Sequence, residues 1–284
     1  MIPEYTLSLL FWIAPVAAMT LFFILKRSLA PIPLRALLLN LVVLSAAGFI
    51  LDLCFAHYFF TFPNPETTLG IMIRRIPLEE FVFYVSGFWF IIAFYVLNDE
   101  YFLSRYNVLD TRYLRYARRL KRRVYMDISL RSVSVLAILC VGSAMLKYLL
   151  NRVSGYPIPG YFIFLAAAAY VPWIFFWRIS RLFVNTRALV FTVVTTLCIS
   201  IVWEVTLALP RGYWGYNPNA MVGIFVSFWN DLPIEAVTVW LFSSLIILSY
   251  EYTKVQLYRI KAIREKVFSE TTPDSCQKPQ VERH

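Results

Sequence analysis

A helix needs roughly 20 consecutive apolar residues to cross the hydrocarbon core of a bilayer. This sequence offers such a run seven times, at residues 5–25, 35–56, 78–97, 129–150, 158–177, 188–208 and 233–250. Of its 284 residues, 60% are hydrophobic and 15% charged, against about 45–50% and about 25% in a soluble domain. The excess lies in the long runs and not in scattered core positions. Alternation of period two is absent over them, which argues against a transmembrane barrel. The expected fold is an all-α polytopic membrane bundle of about seven helices. The first run starts almost at Met1, has no basic segment before it and is too long for a signal core, so it is expected to be a retained helix.

The basic residues cluster in alternate loops. Lys26, Arg27 and Arg35 follow the first run, Arg105 to Arg123 the third, Arg178, Arg181 and Arg187 the fifth, and Lys254 to Lys266 the seventh. The positive-inside rule then places the N-terminus outside and the C-terminus in the cytoplasm. The net charge of +10 is thus read as topological and not as a nucleic-acid signal. Residues 98–127, rich in Arg and Tyr, read as a solvated connector beside anionic headgroups. Residues 268–284 read as a disordered tail.

Cys54, Cys140, Cys198 and Cys276 form no close pair and are expected to be packing residues. With only His57 and His284 there is no histidine cluster for a metal. The sequence has no GxGxxG, no GxxxxGK[ST] and no Asp-rich diphosphate motif. No cofactor is expected. What remains fits a redox-neutral, proton-driven reaction on an apolar substrate.

An internal repeat is the most informative feature. Each copy has an acid late in one run, Asp52 and then Glu204. Each continues through an aromatic stretch to Asn-Pro, at Asn64-Pro65 and Asn217-Pro218, and then to Gly-Ile, at Gly70-Ile71 and Gly223-Ile224. Each opens the next run with Pro-x-Glu, at Pro77-Leu78-Glu79 and Pro233-Ile234-Glu235. The spacings differ by one to three residues, which loops absorb at little entropic cost. Both copies run from the basic side outward and back. They read as parallel repeats, two three-span halves joined by a fourth span, with a site at their interface.

Pro-x-Glu by itself starts a helix: proline suits the first helical position, and glutamate the positive end of the helix dipole. The Asn-Pro and Gly-Ile companions are not needed for a cap and point to a site. Glu79, Glu80 and Glu235 lie at the outer edge of the third and seventh runs, and Asp52 and Glu204 lie within the second and sixth. Ionisable groups at that depth are costly and mark functional sites. Tyr84, Trp203, Trp214 and Tyr216 are candidates to face a cation, which an aromatic face stabilises. Asn217 is a further candidate to line the substrate.

At these residues the chain resembles the membrane lycopene cyclases of the heterodimeric type and their fused relatives. The resemblance covers residues 1–250. It rests on the tandem halves, on Trp214-Gly215-Tyr216-Asn217-Pro218 and on IPLEEFVFY at 76–84. In that family each half carries Pro-x-Glu followed by a second acid. Pro77, Glu79 and Glu80 match fully, whereas Ala236 stands where the second half would have its second acid. The resemblance implies closure of β-ionone rings. An acid protonates a terminal double bond, a neighbouring double bond attacks the resulting cation, and a base removes a proton. It implies Glu79 and Glu80 as acid and base, Glu235 as their partner in the second half, and Asp52 and Glu204 as supporting or relay groups.

The implied partners are a lipophilic polyene drawn from the bilayer, membrane lipids and other enzymes of carotenoid synthesis, in a bacterial cytoplasmic membrane. The expected division is 1–97 as the first half, 98–150 as connector and linking helix, 151–250 as the second half and 251–284 as a basic tail. Two other readings remain open, a carotenoid hydratase that traps the cation with water and a transporter or assembly protein. The runs look continuous, and broken helices would favour the transporter.

Overall fold

The computed structural model describes residues 2–26, 29–119, 130–150 and 158–271. Seven helices among them are long and apolar enough to cross a membrane. They are span one (Glu4–Lys26), span two (Pro31–Phe59), span three (Leu78–Phe102), span four (Val133–Leu150), span five (Gly160–Ser180), span six (Thr186–Arg211) and span seven (Ile234–Glu265). The chain is a multi-pass integral membrane protein, an all-α bundle with only three two-stranded ladders among the described residues. Large apolar side chains such as Leu25, Val42, Ile138 and Val202 point outward. That would be costly in water and suits lipid.

Burial ranks the spans. About half of the apolar window of spans three and seven is buried inside the protein (50% and 56%), against 11% for span four. Spans three and seven therefore form the core and span four is peripheral. Span three packs on spans one and two, and span seven on spans five and six. Across the bundle, span seven meets spans two and three, and span three meets span six.

The spans are less regular than their sequences suggest. Spans three, five and six each contain one wider π turn, at Asn98–Phe102, Ala166–Tyr170 and Glu204–Ala208. The turns in spans five and six lie just ahead of Pro172 and Pro210, where the missing N–H already breaks the α ladder. Spans one and seven each shift register once, after Ser8 and after Leu241.

The ends differ from expectation as well. The helix begun at Ser243 runs on to Thr271, so residues 251–271 continue span seven and residues 268–271 are helical. The remainder of the expected tail lies outside the described residues. The connector is not simply solvated. It contains a helix, Asp110–Arg119, whose Tyr113 is fully buried and donates to Glu251 Oε2 at 2.5 Å; residues 120–129 lie outside the described residues. Cys54 and Cys198 are exposed on the bundle surface and do not pack inside it.

Candidate functional site: carboxylates and tryptophans at the loop face

Between spans two and three the chain forms a compact loop. It pairs β1 (Phe60–Thr61) with β4 (Gly215–Tyr216) from the corresponding loop between spans six and seven, Phe60 opposite Tyr216 and Thr61 opposite Gly215. A 3₁₀ turn follows, Pro65–Thr67, then Gly70 at φ +75°. A hairpin of β2 (Met72–Ile73) and β3 (Ile76–Pro77) leads into span three. The other loop repeats each step: a 3₁₀ turn at Pro218–Ala220, Gly223 at φ +100°, and β5 (Phe225–Val226) paired with β6 (Leu232–Pro233). Positive φ explains the glycines, since a side chain strains there. Pro77 and Pro233 sit one place earlier than the first helical position expected of them. Each is the N-cap of its helix and the last residue of its hairpin.

The two Pro-x-Glu glutamates do the same thing. Glu79 Oε1 accepts from the Leu69 amide at 2.6 Å, and Glu235 Oε1 from the Val222 amide at 2.6 Å. In each the second oxygen is buried without a hydrogen-bond partner. Both side chains are essentially inaccessible, at 1% and 0%. Each ties the helix start to the loop that precedes it. Glu79 also accepts from Thr6 Oγ1 at 2.8 Å, which draws in span one.

A second set of acids lies further in. Glu80 accepts from the Tyr5 hydroxyl at 2.7 Å. Asp52 accepts from Tyr84 at 2.9 Å. Glu204, which opens the π turn of span six, accepts from Tyr216 and from the Trp240 indole, both at 3.4 Å. Tyr84 lies five residues beyond Glu79, and Trp240 five beyond Glu235. The pairs Tyr84–Asp52 and Trp240–Glu204 therefore occupy matching places in the repeat. Ala236, buried at 1%, matches Glu80, so this inner acid is supplied by one copy only. Tyr161 of span five packs against Phe60 at 5.2 Å and lies 6.5 Å from Tyr216. Burial, with Glu204 beside it, pushes the Tyr216 phenol well above its usual value, which keeps it a donor.

The donors that hold these acids belong to an aromatic cluster. Tyr5 stacks on Tyr213 at 4.9 Å and lies 5.8 Å from Trp214. Trp240 stacks on Trp12 at 5.7 Å. Phe83 stacks on Trp203 at 5.1 Å, and Trp203 lies 5.0 Å from Trp214. A groove of about 390 Å³ runs along Ile13, Phe49, Phe81, Val85 and Trp89. Phe49 packs against Tyr84 at 6.4 Å, so one ring separates the groove from the Tyr84–Asp52 pair.

Of the side chains expected at the site, Asp52, Glu80, Glu204, Tyr84, Trp203, Trp214 and Tyr216 come together here. Glu79 and Glu235 border the cluster and are engaged with their loops. Asn217 is used differently. Its amide group donates to Tyr58 O at 2.9 Å and accepts from Asn219 N at 3.1 Å, so it shapes the loop. Sequence reasoning missed Tyr5, Trp12, Tyr161 and Trp240. Only Trp240 left a signal, because it repeats the place of Tyr84. Among the described residues no group of three His, Cys, Asp or Glu side chains is arranged to hold a metal ion. Comparison with protein families, with curated proteins and with solved structures finds no match to this chain.

Proposed function

We propose that this protein is a membrane enzyme that isomerises a linear polyene of the lycopene type by proton-initiated ring closure. The observation that carries the reading is the direct linkage of three inner carboxyl groups to one apolar aromatic cluster. Tyr5, which donates to Glu80, and Trp240, which donates to Glu204, are themselves stacked in that cluster. Such a site combines what the reaction needs: a proton donor and acceptor at matched positions, aromatic faces for a cation, and little water to trap it.

In this reading Glu80, in its acid form, gives its proton to a terminal double bond, and the tertiary cation forms against Trp12, Phe83 and Trp203. The neighbouring double bond closes the ring. Asp52 or Glu204 then takes a proton from the adjacent carbon and sets the ring double bond. One proton is gained and one lost, so the product is an isomer of the substrate. Glu79 and Glu235 hold the two loops over the site and do not carry the proton.

The architecture belongs to the same proposal. Spans one to three and five to seven are two parallel halves joined by span four, and their packing exchanges one-on-three for five-on-seven and two-on-seven for six-on-three. Asp52 and Glu204 lie about two turns, near 10 Å, from the span ends, beneath loops paired through β1 and β4. Ala236 leaves the Glu80 place occupied by an acid in one half only, so one ring closes per binding event. The polyene reaches it sideways from the bilayer through the groove along Phe49 and Phe81. The basic face is cytoplasmic and the site lies toward the outside, by the charge bias of the loops.

Expression in a lycopene-accumulating bacterium tests the reaction. A cyclised pigment of unchanged mass is expected. A pigment heavier by one water would favour a hydratase, and unaltered lycopene would remove this substrate.

A further inference from the structure

At the opposite end of the bundle from the carboxylates lies a second groove, of about 360 Å³. Its floor is apolar, built from Ile32 at the start of span two, Leu114 of the connector helix, and Leu257 and Ile260 of span seven. Its rim carries Arg35, Lys261 and Arg264, all exposed. The acid nearest in the chain, Glu265, is only loosely paired with Lys261, at 3.9 Å, and both are half exposed. Span two also presents its N-terminal end here, with Ala30 as an N-cap that has no capping side chain. A 29-residue helix adds a positive dipole end to the three cations.

Floor and rim together select the chemistry of the occupant. Three cations, with the positive dipole end of a helix beside them, favour a phosphate. A soluble anion would leave Ile260, 62% exposed, facing water. The groove lies at the start of span two, at the end of the bundle that carries the basic clusters. We propose that it binds one anionic phospholipid, with its phosphate against Arg35, Lys261 and Arg264 and one acyl chain along Ile32, Leu257 and Ile260. The site joins the connector helix to spans two and seven, so the lipid would staple the connector to the bundle.

The test uses the full chain in phosphatidylcholine vesicles containing a minor fraction of phosphatidylglycerol, with the lipid retained on the protein read by native mass spectrometry. Each interfacial cation contributes about fivefold in affinity, and three together about a hundredfold. The wild-type protein should retain phosphatidylglycerol over phosphatidylcholine by at least about tenfold. The triple variant R35Q/K261Q/R264Q should lose that preference, and the charge-conserving R35K/R264K should keep most of it. Ile260→Trp, which fills the floor, should lower retention with the cations intact. A control triple elsewhere on the same face, R105Q/R112Q/R181Q, should leave the preference unchanged. Equal loss in the control would show a general surface-charge effect and overturn the site. So would an absent preference in the wild type, or full displacement of the lipid by inorganic phosphate.

Discussion

Glu235 and Val222 allow a prediction that needs no knowledge of the substrate. Replacing Glu235 by alanine removes the acceptor of the Val222 amide, a bond of 2.6 Å in a buried setting. Val222 itself is 3% exposed, so water cannot readily take over. Leaving a buried donor without its acceptor costs about 1–3 kcal/mol. At about 2 kcal/mol, the fall in Tm for a chain of this size is about 4–8 °C. Glu235→Gln keeps the accepting oxygen and should cost about 1 kcal/mol. Thermal unfolding in detergent gives the two shifts, and hydrogen exchange at Val222 gives the local effect, with protection lost in the alanine variant and kept in the glutamine one. Equal shifts for alanine and glutamine, or unchanged protection at Val222, would refute the assignment of Glu235 as a loop clamp.

The hairpin ahead of span three turns on Arg74 and Arg75 at φ +49° and +71°, so R74N/R75G should stabilise the protein by about 1–2 kcal/mol, read as a rise in Tm. A side chain on Gly215 would begin 3.0 Å from Thr61 Oγ1. Gly215→Val should therefore cost about 1–3 kcal/mol through the β1–β4 contact, with part of the loss recovered by Thr61→Ala in a double-mutant comparison. Tyr113→Phe removes the 2.5 Å bond to Glu251 and should release the connector helix, with faster amide exchange over residues 110–119 and no change in the loops at the other face.

The sequence made the bundle readable because lipid imposes one rule on every span, and seven runs of sufficient length leave few alternatives. The matching turns of the two loops were readable because Asn-Pro, Gly-Ile and Pro-x-Glu each serve one local turn, and local turns depend on near neighbours. The division of labour between Glu79 and Glu80 was not. Adjacent residues on a helix point about 100° apart, and pattern alone does not say which faces the loop. Tyr5 was hidden because it lies 75 residues from Glu80 and looks like an interfacial aromatic. Tyr161 stands in a loop-to-helix junction with no counterpart in the repeat description. The span ends ran longer than the apolar runs because Asn98 and Asp99 are buried by neighbouring spans, so polarity there does not mark a helix end.

The direct test of the catalytic reading compares Glu80→Gln with Glu79→Gln in the lycopene-accumulating host, with cyclised pigment normalised to protein in the membrane. Glutamine keeps the bond from Tyr5 but cannot deliver a proton, so Glu80→Gln should lose about 10²–10⁴-fold of product formation. Glu79→Gln keeps the Leu69 and Thr6 bonds and should retain most of it. Undiminished cyclisation by Glu80→Gln would contradict the assignment of Glu80 as the acid.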